Sequence, residues 1–236
     1  MNMAALIRIL SADAPKGGLR KNAELFTAET GFPHEIELAT GPVIKERMLS
    51  GKADADLVVI PRAEFDDLIA AGYFDPNDLA VLGLVTVGVT VRNGAREPDL
   101  STVDAFVASV LAADRLIYNT ASSGQYIAKM FERLGLVDRI KRKASILPTG
   151  KAAMEALAAD TSGNAIGFGH VTEIRLHDRL GTHLVGPLPG EIGRQTPYAI
   201  GLLADARHSD AARQLMEFMT STRSKQNFLE TGVLQA

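Results

Sequence analysis

A short apolar run, a loop containing glycine or proline, then apolar residues at helical spacing: this unit recurs along the chain and constrains its fold more than any bulk figure does. Leu6 to Leu10, apolar but for Arg8, reads as the first strand, and Leu19, Ala23 and Phe26 then mark one face of a helix ending near Thr30 and Gly31. His34 to Ala39 alternates as a strand does, and Thr40-Gly41-Pro42 opens a helix through Ile44, Arg47 and Met48, with proline where a missing N–H costs nothing. Asp56 to Ile60 reads as a strand whose continuous apolar run after Asp56 is of the kind covered on both faces, and Pro61-Arg62 leads into a helix carrying Phe65, Leu68 and Ile69. The first 75 residues therefore read β-α-β-α-β-α, the alternation that builds a parallel sheet with helices packed on it.

The same unit returns in residues 115–136. Arg115 to Tyr118 is a buried-looking strand, while Tyr126, Ile127, Met130, Phe131 and Leu134 recur at helical spacing, so the period changes across residues 119–125. Ser122 and Ser123 are expected to cap the helix and Gly135 to stop it. A helix starting after a strand with two hydroxyls, Gly124 and Gln125 offers free backbone N–H groups and the positive end of its dipole, an arrangement suited to an anion. The plain structural alternative is an ordinary serine-capped turn.

Around this unit, a helix over residues 103–111, a strand over 144–147, a helix over 150–159 after Pro148-Thr149, and short strands at 165–168 and 183–185 complete a second alternating set. Two long β-rich segments, 81–91 and 197–203, carry the chain across and back. The expected organisation is one lobe of residues 1–88 plus 202–236 and another of residues 89–201, with the last two helices packing on the first lobe. In such units helix amino termini lie at the carboxyl ends of the strands, so the loops at 13–18, 40–42, 121–125 and 148–151 are expected to face one crevice holding a ligand.

Composition narrows the partner. With 46% hydrophobic and 22% charged residues and a net charge of -3, the 236-residue chain has no sign of a nucleic-acid or anionic-membrane surface, and no apolar run reaches membrane-spanning length. Zero cysteines exclude disulfides and thiol chemistry. The amino terminus lacks the charged and apolar regions of a secretion leader. Two expectations follow: a cytoplasmic protein if Met1 is the native start, a periplasmic one if a leader has been removed.

Motifs for other chemistries fail. Gly51-Lys52 and Gly150-Lys151 lack the remainder of a phosphate loop, Gly167-Phe-Gly169 lacks a third glycine, and Asp54 and Asp56 lack the rest of a calcium loop, which leaves them solvated or strand-initiating. His34, His170, His177, His183 and His208 show no paired ligand spacing, so no metal and no cofactor is expected. No nucleophile elbow surrounds Ser122 or Ser123. Lys16, Arg62, Lys151 and Arg194 are the cations nearest the expected crevice, and His170, at a strand end, is either a rim histidine or a ligand group.

Several blocks carry a resemblance: Asp56-Leu-Val-Val-Ile60, Val89-Thr-Val-Arg-Asn-Gly-Ala95 followed by Pro98-Asp99-Leu-Ser-Thr102, Ser123-Gly124-Gln-Tyr126 with Leu134-Gly-Leu136, Ala165-Ile-Gly-Phe168 with Thr172-Glu-Ile174, and Leu184-Val-Gly-Pro-Leu-Pro189. In this order, over essentially the whole chain, they resemble the molybdate-binding-protein-like family of bacterial extracellular solute-binding proteins. The resemblance implies an α/β, two-lobed type II periplasmic-binding-protein fold with two crossover strands, a ligand cleft between lobes, and service to an ABC importer. Where true molybdate binders bring a serine hydroxyl in the first loop, Ala14 or Pro15 stands here; Thr40 retains one hydroxyl in the second loop, and residues 168–170 replace an expected tyrosine. A desolvated tetrahedral dianion needs many donors, so organic polycarboxylates stand beside molybdate as the expected ligand.

The same branch is also similar to aconitate isomerase, an enzyme on this scaffold, and for that activity His170, Lys16 and Tyr198 are the candidate acid–base groups. The effector-sensing half of a LysR-type regulator shares the fold but would need a DNA-binding segment before the first strand. The leading expectation is a monomeric receptor for a small anionic ligand, partnered by an ABC permease. Its expected ligand-binding residues are Lys16, Gly17, Thr40, Gly41, Arg62, Ser122, Ser123, Gly124, Gln125, His170 and Tyr198.

Overall fold

The computed structural model describes residues 5–235, so residues 1–4 and 236, and with them the reading of the amino terminus, lie outside the described residues. The chain divides into two compact units, one running to Val85 and resuming at Thr196, the other Thr86–Gln195. Sequence reading put these divisions after residues 88 and 201. Both fall within strands, β4 (Phe74–Arg92) and β9 (Gln195–Leu203), each a continuous element that passes from one unit to the other.

In the first unit β1 (Ile7–Ala12), α1 (Lys16–Thr30), β2 (His34–Ala39), α2 (Gly41–Leu49), β3 (Leu57–Pro61) and α3 (Phe65–Ala70) alternate, with a 3₁₀ turn at Arg62–Glu64 ahead of α3. β1 runs parallel to both β2 and β3, Ala12 opposite Ala39 and Ser11 opposite Val59, so the three strands end on the same side. β9 is antiparallel to β3 with Tyr198 opposite Pro61, and β4 follows it in the hydrogen-bonded order. β1 is longer than the sequence pattern indicated and α1 starts at Lys16, so Gly17 and Gly18 sit in the helix and the loop between the two is only residues 13–15.

The last two helices, α9 (Ser209–Met219) and α10 (Thr222–Glu230), bury Leu215, Met219 and Phe228 in the same core as Leu19, Ala23 and Phe26 of α1. At their junction with α1 the buried Asn227 amide donates to Asn22 Oδ1 at 2.7 Å and the Asn22 amide to the Ser224 carbonyl at 3.2 Å, which satisfies groups that would otherwise oppose burial. Asp56, just ahead of β3, is buried rather than solvated: its carboxylate accepts the backbone N–H of Arg8 at 2.9 Å and of His208 at 3.0 Å.

The second unit contains α4 (Val103–Ala112), β5 (Arg115–Asn119), α5 (Ser122–Arg133), a short α6 (Val137–Ile140), β6 (Ala144–Leu147), α7 (Gly150–Ala158), β7 (Ala165–His170), α8 (Val171–Leu176) and β8 (Thr182–Pro187). β5 lies between β6 and β7 and is parallel to both, while β4 runs antiparallel to β7 and β8. Successive residues of β5 point to opposite faces: Leu116 and Tyr118 join one core with Phe106, Ile127, Met130 and Phe131, whereas Ile117 joins another with Met154, Leu157 and Ile174. The strand is apolar without alternation because both faces are covered. Phe168 meets Phe106 and Phe131 edge to face, at 6.2 and 5.6 Å between centroids, and so ties β7 to α4 and α5.

Candidate functional site

The turn from β5 into α5 is tighter than the sequence suggests. Asn119 is the last residue of the strand, and Ala121, not a serine, is the N-cap, with Ser122 and Ser123 inside the first helical turn. The expectation that the serines cap the helix is therefore corrected. No side chain caps the helix; Asn119 braces the turn before it, its Oδ1 accepting the Ala121 N–H at 2.9 Å and its amide donating to Ser123 Oγ at 3.3 Å. Asn119 and Ser123 are both buried, at 3% exposure each.

The α5 ladder begins with the Gln125 N–H to the Ala121 carbonyl at 2.9 Å, which leaves the N–H groups of Ser122, Ser123 and Gly124 ahead of it at the positive end of the dipole. Gly124 is required by close approach. A methyl built on it would stand 2.5 Å from the Asn119 carbonyl carbon and closer still to the oxygen, where real contacts stay beyond 3.0 Å. Ile127, Met130 and Phe131, each at most 1% exposed, anchor the helix, and each contributes about 1.5–3 kcal/mol by burial.

Parallel pairing brings other candidates of this unit to the same sheet end. Asn119 lies opposite Leu147, beyond which Thr149 caps α7 by accepting the Ala152 N–H at 3.1 Å, and β7 ends at His170. His170 keeps some solvent contact, yet its ring sits among enough protein that burial lowers its pKa to about 4, with Glu173 opposing and Arg194 reinforcing the shift. The imidazole is neutral at physiological pH. Three more of the expected residues have partners within the unit. Gln125 turns its amide back to the Thr120 carbonyl at 3.2 Å, Lys151 pairs with Glu155 along α7 at 3.6 Å, and Arg194 stacks over Tyr126 at 5.5 Å.

In the first unit the carboxyl ends of β1, β2 and β3 collect Lys16, Thr40, Gly41 and Arg62, with Tyr198 opposite Pro61 on β9. Lys16 opens α1 and pairs with Asp13 at 3.2 Å; Gly17 packs beside Thr231. Arg62 is held by Asp66 at 2.7 Å. Thr40 is the N-cap of α2 in extended conformation, but its hydroxyl makes no capping bond. Among the described residues no cluster of three or more metal-ligating side chains occurs, and no helix is long and apolar enough to cross a membrane.

Sequence reading missed Glu64. Its carboxylate lies against Gly41 so closely that a methyl there would stand 2.6 Å from Oε2, and Oε2 is buried without a hydrogen-bond partner. Burial raises the Glu64 pKa, with Lys45 opposing. In the second unit Glu173 likewise abuts Gly150 at the start of α7, but its Oε1 meets His177 Nε2 at 3.0 Å. The legible signal in both cases was a glycine in a helical first turn with no turn conformation to explain it.

Comparison with known proteins accords with this architecture. The family model described as bacterial extracellular solute-binding protein matches residues 7–234. The chain is 25% identical over 232 residues to an aconitate isomerase of a Pseudomonas species, covering 96% of this chain and 87% of that protein. Among solved structures it is similar in fold to the substrate-binding domain of a putative molybdenum ABC transporter from Clostridium difficile, with TM-score 0.78, 16% identity, and 99% and 100% of the two chains covered. The Azotobacter vinelandii periplasmic molybdate-binding protein matches at TM-score 0.75 and 14% identity over 98% of this chain and 99% of that one. The sulfate-binding protein SubI of Mycobacterium tuberculosis matches at TM-score 0.73 and 16% identity, over 97% and 86%. With a fold of this type and a family match over nearly its whole length, the chain belongs to the bacterial extracellular solute-binding protein family.

Proposed function

We propose that the chain is the solute receptor of an ABC-type importer and captures a small anion, a molybdate-like oxyanion or an organic polycarboxylate. The observation that carries this reading is the first turn of α5, where three N–H groups stand ahead of the helical ladder on a backbone braced by buried Asn119 and Ser123. Within the first unit, Thr40, Gly41 and Lys16 gather at the carboxyl ends of the strands and are that unit's own candidates for holding an anion. The family match supports a receptor role, and an extracellular or periplasmic setting with a permease partner follows from the same reading. Calorimetric titration against molybdate, sulfate, phosphate, citrate and both aconitates tests it. Binding of at least one is expected; binding of none, with a neutral sugar or a cation bound instead, overturns it.

A second reading is favoured by the 25% identity to an aconitate isomerase over 96% of this chain. Moving a double bond within a tricarboxylate requires removing a proton at one carbon and delivering one at another, so an acid–base group must lie beside anion-holding donors. His170, Lys16 and Tyr198 are the groups for that role. His170 is neutral and thus able to accept a proton, but a pKa near 4 makes it a weak base until an anionic substrate lifts it. Chromatographic assay of cis- and trans-aconitate decides the matter. Absence of interconversion above the buffer rate removes the enzyme reading, and full activity in His170→Ala removes this base.

A further inference from the structure

The segment that closes the first unit touches two of its elements at once. Phe228 and Thr231, at the end of α10, cover the first turn of α1: a methyl on Gly18 would stand 2.8 Å from Phe228 Cε1 and 2.9 Å from Thr231 Oγ1, and one on Gly17 would stand 3.3 Å from Thr231 Cβ. α10 is tied along the same helix by Lys21 to Glu230 at 2.6 Å and by the Asn227 amide to Asn22. Val233 is then buried at 1% exposure, and Leu234 forms a two-way bridge with Leu84 of β4, each N–H donating to the other's carbonyl at 2.8 Å. Gly83, beside that bridge, has φ of +150°, and a methyl on it would lie 2.7 Å from Val233 Cγ1 and nearer still to the Leu234 oxygen. A side chain at position 83 would be strained and would displace the bridge.

We infer that residues 228–234 are a clasp joining the start of α1 to β4, so that an anion held at Lys16 and Gly17 strengthens the Leu84–Leu234 bridge and a closed bridge strengthens the hold on the anion. The inference rests on the anion-receptor reading and adds a regulatory element to it. The bridge is one pair of backbone hydrogen bonds with exposed Gln235 beyond it, so it opens far more readily than β3, which is paired on both sides. The contacts at Gly17 and Gly18 leave no slack. A shift of the first turn of α1 carries Phe228 and Thr231 with it, and through buried Val233 it reaches Leu234. Leu84 immediately precedes Val85, after which β4 passes into the second unit. Coupling of this kind is reciprocal: the factor by which the anion favours the closed bridge is also the factor by which closure tightens the anion.

Amide hydrogen exchange of the full chain reads the bridge directly at Leu84 and Leu234, with and without whichever of molybdate, sulfate, phosphate, citrate and the two aconitates binds in calorimetry. Both amides are expected to exchange faster than those of β3, and the bound anion to slow them about 5-fold or more. Leu234→Pro removes one of the two donors and opens the bridge. By calorimetry it should weaken that anion by the same factor by which the anion slows exchange in the unaltered protein, whereas Gln235→Pro, outside the bridge, should bind as the unaltered protein does. Three results overturn the coupling and leave the receptor reading standing: bridge amides that exchange no faster than β3, exchange indifferent to the bound anion, or a Leu234→Pro protein of unaltered circular dichroism that binds the anion as tightly as before. Binding of none of the six anions overturns both. If Leu234→Pro does not fold, the exchange measured on the unaltered protein decides alone.

Discussion

Gly124→Ala isolates the geometry on which the α5 turn depends. In most helices this exchange is stabilising by about 1 kcal/mol, because alanine gives up less chain entropy. Here the added methyl would lie 2.5 Å from the carbonyl carbon of Asn119 and nearer its oxygen, and the obstruction is backbone, which no rotamer change relieves. The turn or the helix would have to move by about an ångström. The helix resists through buried Ile127, Met130 and Phe131, and the turn through the two Asn119 hydrogen bonds. Overpacking of this kind costs about 1–3 kcal/mol, so a net loss of about 2 kcal/mol is expected despite the better helix former. Urea unfolding followed by circular dichroism measures it. Gly169→Ala is the control, since its methyl meets only Ile174 Cγ1 at 3.7 Å, an ordinary contact. A Gly124→Ala protein as stable as the unaltered one, or no more affected than the Gly169→Ala control, refutes the close approach.

Two further predictions concern the same unit. Ser123→Ala removes the acceptor of the buried Asn119 amide, so it should cost about 1–3 kcal/mol in the same unfolding assay; an unchanged urea midpoint would mean that Asn119 is held by other means. His170 is neutral in the fold down to a pKa of about 4, whereas in the unfolded chain it charges near 6.5, so the unfolded state binds more protons between those values. Its contribution to stability is complete above pH 6.5 and lost as pH falls toward 4, about 3 kcal/mol at most and less because the ring keeps some solvent contact. His170→Gln should flatten stability over that window, and an unaltered slope would contradict a depressed pKa.

Much of the architecture is legible in the residues because it rests on periodicity. The spacing of Ile127, Met130 and Phe131 announces a helix, and the unbroken run Leu57 to Ile60 announces a strand covered on both sides; both lie where the pattern puts them. What was illegible depends on side chains choosing among equivalent local partners. Serine hydroxyls cap helices often enough that Ser122 and Ser123 looked sufficient, yet Asn119, two residues before Ala121 and still in the strand, takes the turn N–H. Glu64 was out of reach for another reason. It meets Gly41 only because the 3₁₀ turn after β3 brings residue 64 against the start of α2, a contact between segments that no local pattern records. The local partners of Lys151 and Gln125, Glu155 and the Thr120 carbonyl, were illegible for the same reason as the turn contact of Asn119.

The central claim is that an anion is held by the backbone N–H groups at the start of α5. The most direct measurement is the backbone amide spectrum of uniformly ¹⁵N-labelled protein titrated with citrate and, separately, with phosphate. The amides of Ser122, Ser123 and Gly124 are expected to shift progressively and saturate with one of these anions. Saturable shifts confined to other residues, or a spectrum unchanged by either anion, would contradict it.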